Sequence, residues 1–186
     1  MAVSAVNPWR QGGRGGISAP AWLVIAAALL VTPVFAGADL PRPLPKFRLK
    51  LLDGSVVESK DLRGKVTVID FWAVWCKPCI GEIPEYNMFY REYKRKGVRM
   101  IAVASDSGTE DEVRRSVQRL KMEYPVAAPS LEEMDAFGDI IFFPTTWVID
   151  GRGRIAREFL GAPPDKHQTL RALVNKLLDR SGKRRN

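Results

Sequence analysis

The stretch Lys65–Ala73, KVTVIDFWA, limits what this chain can fold into more than any other. It is an almost unbroken run of β-branched and aromatic side chains and lacks the in–out alternation of a strand with one wet face, so it reads as a strand covered on both sides. Such a strand needs a layer above and a layer below, and its neighbours supply them. VRMIAVASD is a second buried strand, and residues 79–96 between the two read as a helix closed by Gly97.

Further along, TEDEVRRSVQRL opens with a capping box, Thr109 with Glu112, and sets Val113, Val117 and Leu120 on one helical face. A second box, Ser130 with Glu133, starts a short helix through Phe137. TTWVID and RIAREFL form a strand pair across DGRG, and Leu170, Leu173, Val174 and Leu177 define a last amphipathic helix. Ahead of all this, KFRLKLLDGSVVE reads as a hairpin turning at Asp53-Gly54. The order is βαβα followed by ββα. It favours an α/β fold with a parallel inner pair, an antiparallel hairpin at the far side and helices on both faces.

The N-terminus is a separate matter. Arg10 and Arg14 lie in a Gly-rich lead, followed by SAPAWLVIAAALLVTPVFAGADL, an apolar run that ends in the small residues Ala36-Gly37-Ala38. Residues 1–38 therefore read as a secretory signal cut after Ala38, or as an uncleaved membrane anchor interrupted by Pro20 and Pro33. Either way the folded part is expected beyond the cytoplasmic membrane. Residues 39–46, with LPRPLP, are expected to be an extended linker, 47–179 the domain, and 180–186 a basic tail. Without the leader the chain holds 27 basic and 21 acidic side chains, because 2 of its 29 basic residues lie there, for a net charge of +6. The excess is concentrated in the tail or interspersed with acids, which reads as solvated surface and not as a nucleic-acid interface.

Both cysteines, Cys76 and Cys79, sit at the strand-to-helix junction with only Lys77 and Pro78 between them. As a staple this pair would add little, about 2 kcal/mol for so short a loop. Structural zinc needs four N or S donors, and covalent haem would need a histidine where Ile80 stands. Redox exchange fits the spacing better. A thiolate attacks a disulfide, and a second thiol within bonding distance releases the mixed disulfide. At a helix start, free backbone N–H groups and the dipole favour a thiolate on the first cysteine. Cys76 is thus read as the more exposed nucleophile and Cys79 as the resolving thiol.

The motifs DLRGKVTVIDFWAVWCKPCIGEIPEY, LPKFRLKLLDGSVV, GVRMIAVASD and FPTTWVID carry a resemblance from about Leu44 to Leu178. With them the chain resembles thioredoxin-fold proteins, and more closely the exported thiol-disulfide oxidoreductases of the TlpA/ResA type. The resemblance implies a thioredoxin fold, with a central mixed β-sheet flanked by helices and an N-terminal β-hairpin extension. Pro144 matches the family's cis-proline beside the dithiol, which leaves the preceding backbone free to pair with substrate. Phe143 is bulky for its place and reads either as a partner contact or as core. Glu82, one helical turn past Cys79, matches an active-site carboxylate that relays protons or raises a thiol pKa; by itself it would read as compensation of the helix dipole. Asp70 matches a buried aspartate able to take the proton from Cys79, the alternative being a polar group hydrogen-bonded at the strand end.

Of the remaining residues, Lys77 reads as favouring the thiolate or simply facing water, and Pro78 as stiffening the start of the helix. Trp72 reads as core and Trp75 as a contact surface. Pro84 is expected to kink the helix, and His167 to be ordinary surface. The resemblance further implies a reductase of oxidised client proteins, such as apocytochromes c or copper-site cysteines, fed by a membrane thiol donor of the DsbD/CcdA kind. No bound cofactor or metal is expected, the Cys76–Cys79 disulfide being the redox group. A thiol oxidase or isomerase and a Cu(I)-binding chaperone are the rival readings.

Overall fold

In a computed structural model, residues 40–182 are described. The expected leader, residues 1–38, and the last part of the tail lie outside them. Strands β1 (Arg42–Pro43), β4 (Thr67–Trp72), β5 (Arg99–Ala104), β6 (Val126–Ala127), β7 (Thr145–Ile149) and β8 (Arg154–Leu160) form one sheet in the order β1-β8-β7-β4-β5-β6. Strands β2 (Arg48–Lys50) and β3 (Val56–Glu58) form a separate hairpin. The helices are α1 (Lys77–Tyr93), α2 (Glu110–Arg119), α3 (Leu131–Asp135) and α4 (Lys166–Gly182). None of the described helices is long and apolar enough to cross a membrane.

The run that reads as doubly covered is β4, and every one of its residues is buried. It lies at the sheet's centre, parallel to β5 with Ile69 opposite Ile101, and antiparallel to β7 with Ile69 opposite Trp147. Its side chains divide by the strand's two-residue period. Val68 and Trp72 join Cys79, Tyr86, Phe89 and Tyr93 of α1 and Leu170, Val174 and Leu177 of α4 in one core. Ile69 and Phe71 join a second core with Phe47, Leu49 and Val57 of the hairpin and Met134 and Phe137 at α3. Asp70 falls by this period on the face of α1 and α4.

The local signals explain the element ends. Both capping boxes form, Thr109 Oγ1 accepting from Glu112 N at 3.3 Å and Ser130 Oγ from Glu133 N at 3.2 Å. Gly97, at φ 81°, ends the 3-10 turn Lys94–Lys96 that follows α1. Gly54, at φ +87°, lets the chain turn between β2 and β3, and the Asp53 carboxylate accepts from Ser55 N at 2.9 Å.

Two departures from the sequence reading lie at the ends of the domain. The proline-rich segment expected as a linker is extended, but Arg42 and Pro43 pair with Ile155 and Arg154, so it is an edge strand. Proline is tolerated at an edge because the missing N–H faces outward. Helix α4 also runs on to Gly182, into the expected tail.

The second core rests on aromatic contacts. Phe137 lies 4.9 Å from Phe47, 5.2 Å from Phe71 and 6.2 Å from Trp147, ring to ring, tying hairpin to sheet. Phe137→Ala is expected to cost about 3–5 kcal/mol in urea unfolding. A change below about 1 kcal/mol would show that the hairpin is held elsewhere.

Candidate active site

After β4 the chain turns, and Cys76 becomes the N-cap of α1, with φ −79° and ψ 98°. Its Sγ accepts from Cys79 N at 3.2 Å, where an oxygen would sit in an ordinary cap. Cys76 and Cys79 form a disulfide with their Cα atoms 5.3 Å apart. Lys77 and Pro78 fill the first helical positions, where the missing proline N–H removes no intrahelical bond. Pro84 lies inside the helix.

In this oxidised form the two cysteines differ little in exposure, Cys76 keeping 4% and Cys79 2%. Cys76 is thus the more exposed of the two, by a narrow margin, and both are buried. Around them Trp75, Lys77 and Pro78 are exposed, with Trp75 at 58%. Trp75 is nevertheless held in place. Its indole donates to Asp106 O at 2.7 Å and meets the Phe143 ring edge-on at 5.8 Å. Ser107 supports the same turn, its hydroxyl accepting from Val74 N at 3.1 Å and donating to Ser105 O at 2.8 Å. Trp72 is core, as expected.

The Phe143–Pro144 peptide is cis. Pro144 is buried and Phe143 half-buried; Phe143 packs against both cores and meets Trp75 at right angles. The Pro144 carbonyl accepts from Gly161 N at 2.7 Å, and the Phe142 carbonyl from the Thr145 hydroxyl at 2.7 Å.

Beneath the dithiol lies a cluster of buried charge. Glu82, 7% exposed, is not spent on the helix dipole. Its Oε2 accepts from Lys166 Nζ at 2.7 Å, and its Oε1 lies 3.1 Å from His167 Nε2. The latter contact is close but misaligned for a hydrogen bond, and both ring nitrogens are buried without a hydrogen-bond partner among the described residues. His167, expected at the surface, instead packs against Tyr86 at 4.8 Å, with 19% of its side chain exposed. That expectation is corrected, because the first turn of α4 points into the core of α1.

Asp70 is joined to this cluster through hydroxyls. The Thr146 hydroxyl donates to Asp70 Oδ1 at 2.9 Å and lies 2.8 Å from Tyr86 Oη. Thr146 has one proton to give, so Tyr86 must be the donor in the second bond. Burial pushes the Asp70 carboxyl up to about 7, with the Lys166 charge opposing, the Glu82 charge adding and the Thr146 hydrogen bond opposing. Burial likewise lifts Tyr86 and Tyr124 well above the usual phenol range.

Sequence reasoning missed Lys166, Tyr86 and Thr146. No local signal marked Lys166: Asp165 directly before it accepts the first helical bond from Thr169 N at 2.9 Å and supplies the negative charge a helix start favours.

A central mixed sheet between helices, a dithiol at a helix start and a cis-proline beside it define a thioredoxin-fold disulfide oxidoreductase. The Redoxin family matches residues 41–176, and the chain belongs to it. It is similar to the thiol-disulfide oxidoreductase ResA of Bacillus thuringiensis subsp. konkukian, with 35% identity over 123 residues, 66% of this chain and 70% of that protein. The thioredoxin-like protein YneN of Bacillus subtilis is 30% identical over 123 residues, 66% of this chain and 72% of that protein. Among solved structures, a putative thiol:disulfide interchange protein DsbE from Chlorobium tepidum matches with a TM-score of 0.68 and 29% identity, over 75% of this chain and 98% of that one.

The raised Asp70 carboxyl makes stability depend on pH. Its folded value of about 7 lies above the ordinary 3.8, so the folded state holds a proton that the unfolded chain releases between these limits. Stability from this group is therefore present below about pH 4 and lost as pH rises through about 7. Asp70→Asn is expected to stabilise the protein at pH 8, by up to about 4 kcal/mol, and to leave it unchanged near pH 4. Urea unfolding at both values checks this; equal effects at the two would contradict the burial-driven shift.

Proposed function

We propose that the protein is an extracytoplasmic thiol-disulfide reductase that acts on selected protein disulfides through Cys76 and Cys79. The observation that carries the reading is the dithiol at the N-cap of α1 with a cis-proline loop edged against it through Trp75 and Phe143. The leader-like residues 1–38, cleaved or retained as an anchor, and the TlpA/ResA resemblance support a location beyond the cytoplasmic membrane.

In the reaction, the Cys76 thiolate attacks one sulfur of a client disulfide. The client S–S bond breaks, one client sulfur leaves as thiolate and a mixed disulfide forms. The Cys79 thiol then gives up its proton, with Asp70 as acceptor, and its sulfur attacks Cys76 Sγ. The second client thiolate departs with the electron pair. The client has gained two electrons, and Cys76–Cys79 is the disulfide once more.

A membrane thiol donor of the DsbD/CcdA kind restores the dithiol, and no bound cofactor takes part. Apocytochromes c and cysteines awaiting copper are the client classes. Phe143, Pro144 and Trp75 form the client-facing rim, and Lys77 and Pro78 border the nucleophile. Reduction is favoured over oxidation by the resemblance, since the potentials of such dithiols span about −270 to −120 mV.

Cys76→Ser is expected to abolish dithiothreitol-driven insulin reduction, and full activity in that variant would remove Cys76 as the nucleophile. Cys79→Ala is expected to accumulate mixed disulfides, whose captured partners identify the clients. Equilibration with glutathione checks the direction: a potential near the oxidising end, about −120 mV, would overturn the reductase assignment.

A further inference from the structure

Lys166 is fully buried, which is rare for lysine unless its charge is paired. Its ammonium donates to Glu82 Oε2 at 2.7 Å and to Gly161 O at 3.1 Å, and sits 5.5 Å from the centre of the Tyr86 ring. Gly161 in turn donates its N–H to Pro144 O at 2.7 Å. One side chain from α4 thus connects the helix of the dithiol with the cis-proline loop.

Several groups face the same buried space. Asp70 comes from β4 and Thr146 from β7, Glu82 and Tyr86 come from α1, and Lys166 and His167 from α4; Tyr124, ahead of β6, lies 6.1 Å from the Tyr86 ring. Two carboxyl groups and one fixed cation share the interior. The cation is bonded to Glu82, whereas Asp70, among the described residues, is hydrogen-bonded by hydroxyls.

We propose that Lys166 is a positioning residue for the dithiol chemistry: by neutralising Glu82 it leaves the mobile proton of the buried carboxyl pair to Asp70. The proposal rests on the redox reading above for its purpose, but not for its test. During resolution the Cys79 proton passes to the Asp70 carboxylate, the Cys79–Cys76 bond forms, and the bond from Cys76 to the client sulfur breaks. With Lys166 absent, two carboxyl groups compete without a cation, and Asp70 keeps its proton to higher pH. With Glu82 absent, the unpaired ammonium draws Asp70 toward ionisation at lower pH.

The test is the titration of the Asp70 carboxyl, followed by carbon NMR in the disulfide form, together with the pH profile of mixed-disulfide resolution. Lys166→Met is expected to move the midpoint up by about one pH unit, Glu82→Gln to move it down, and the double variant to return it toward wild type. Lys166→Arg keeps the charge and is expected to rescue the profile. A merely structural role would not shift the two single variants in opposite directions. Midpoints that stay put or move together, with the dithiol active, overturn the proposal. Should Lys166→Met fail to fold, Glu82→Gln decides alone, since an unchanged or raised midpoint there overturns it equally. Opposite shifts in a protein without dithiol activity would overturn the redox reading and leave the charge assignment standing.

Discussion

The structure depends on β4 being shut in from both sides. Covering both faces of one strand creates two cores, and the strand's two-residue period assigns Val68, Asp70 and Trp72 to the side where α1 and α4 pack. A carboxyl group is thereby carried into an apolar layer with no choice of environment. The same strand ends where the backbone must turn, and that turn is where the cysteines stand. Core formation and placement of the redox group are thus one event.

Energetically, this burial leaves a small set of polar partners that have to satisfy one another. Removing one member of a buried ion pair leaves its partner uncompensated, at a cost of about 3–5 kcal/mol, so Glu82 and Lys166 hold each other in place. Among the described residues Asp70 has no such cation of its own, and burial is the largest influence on it. The Tyr86–Thr146–Asp70 chain of hydroxyls satisfies it without cancelling its charge. One cluster therefore contains a carboxyl group paired with a cation, Glu82, and another, Asp70, that burial lifts to about 7.

Much of this was legible in the sequence because it was local. The capping boxes at Thr109 and Ser130, the Asp53-Gly54 turn and the Cys76–Cys79 spacing each lie within a few residues, where propensity and geometry decide. The cis-proline was legible only through resemblance. The sheet edges at Arg42 and Val126 escaped, because a two-residue strand has no periodicity to read. Lys166 and His167 escaped for a different reason: their partner Glu82 is more than 80 residues away, and long-range pairing leaves no mark in a linear pattern.

The cis-proline loop also limits how a visitor can be read. Pro144 has no N–H, its carbonyl is committed to Gly161, and the Phe142 carbonyl is taken up by Thr145. Among the described residues, Phe143 alone of these three keeps both main-chain groups unengaged. A strand arriving here finds a ledge one residue wide, where the free N–H and C=O of Phe143 offer two backbone hydrogen bonds that read no sequence. On the proposed function, discrimination among visitors would then be written in side chains, and the bulky aromatic of Phe143 stands at that single open position.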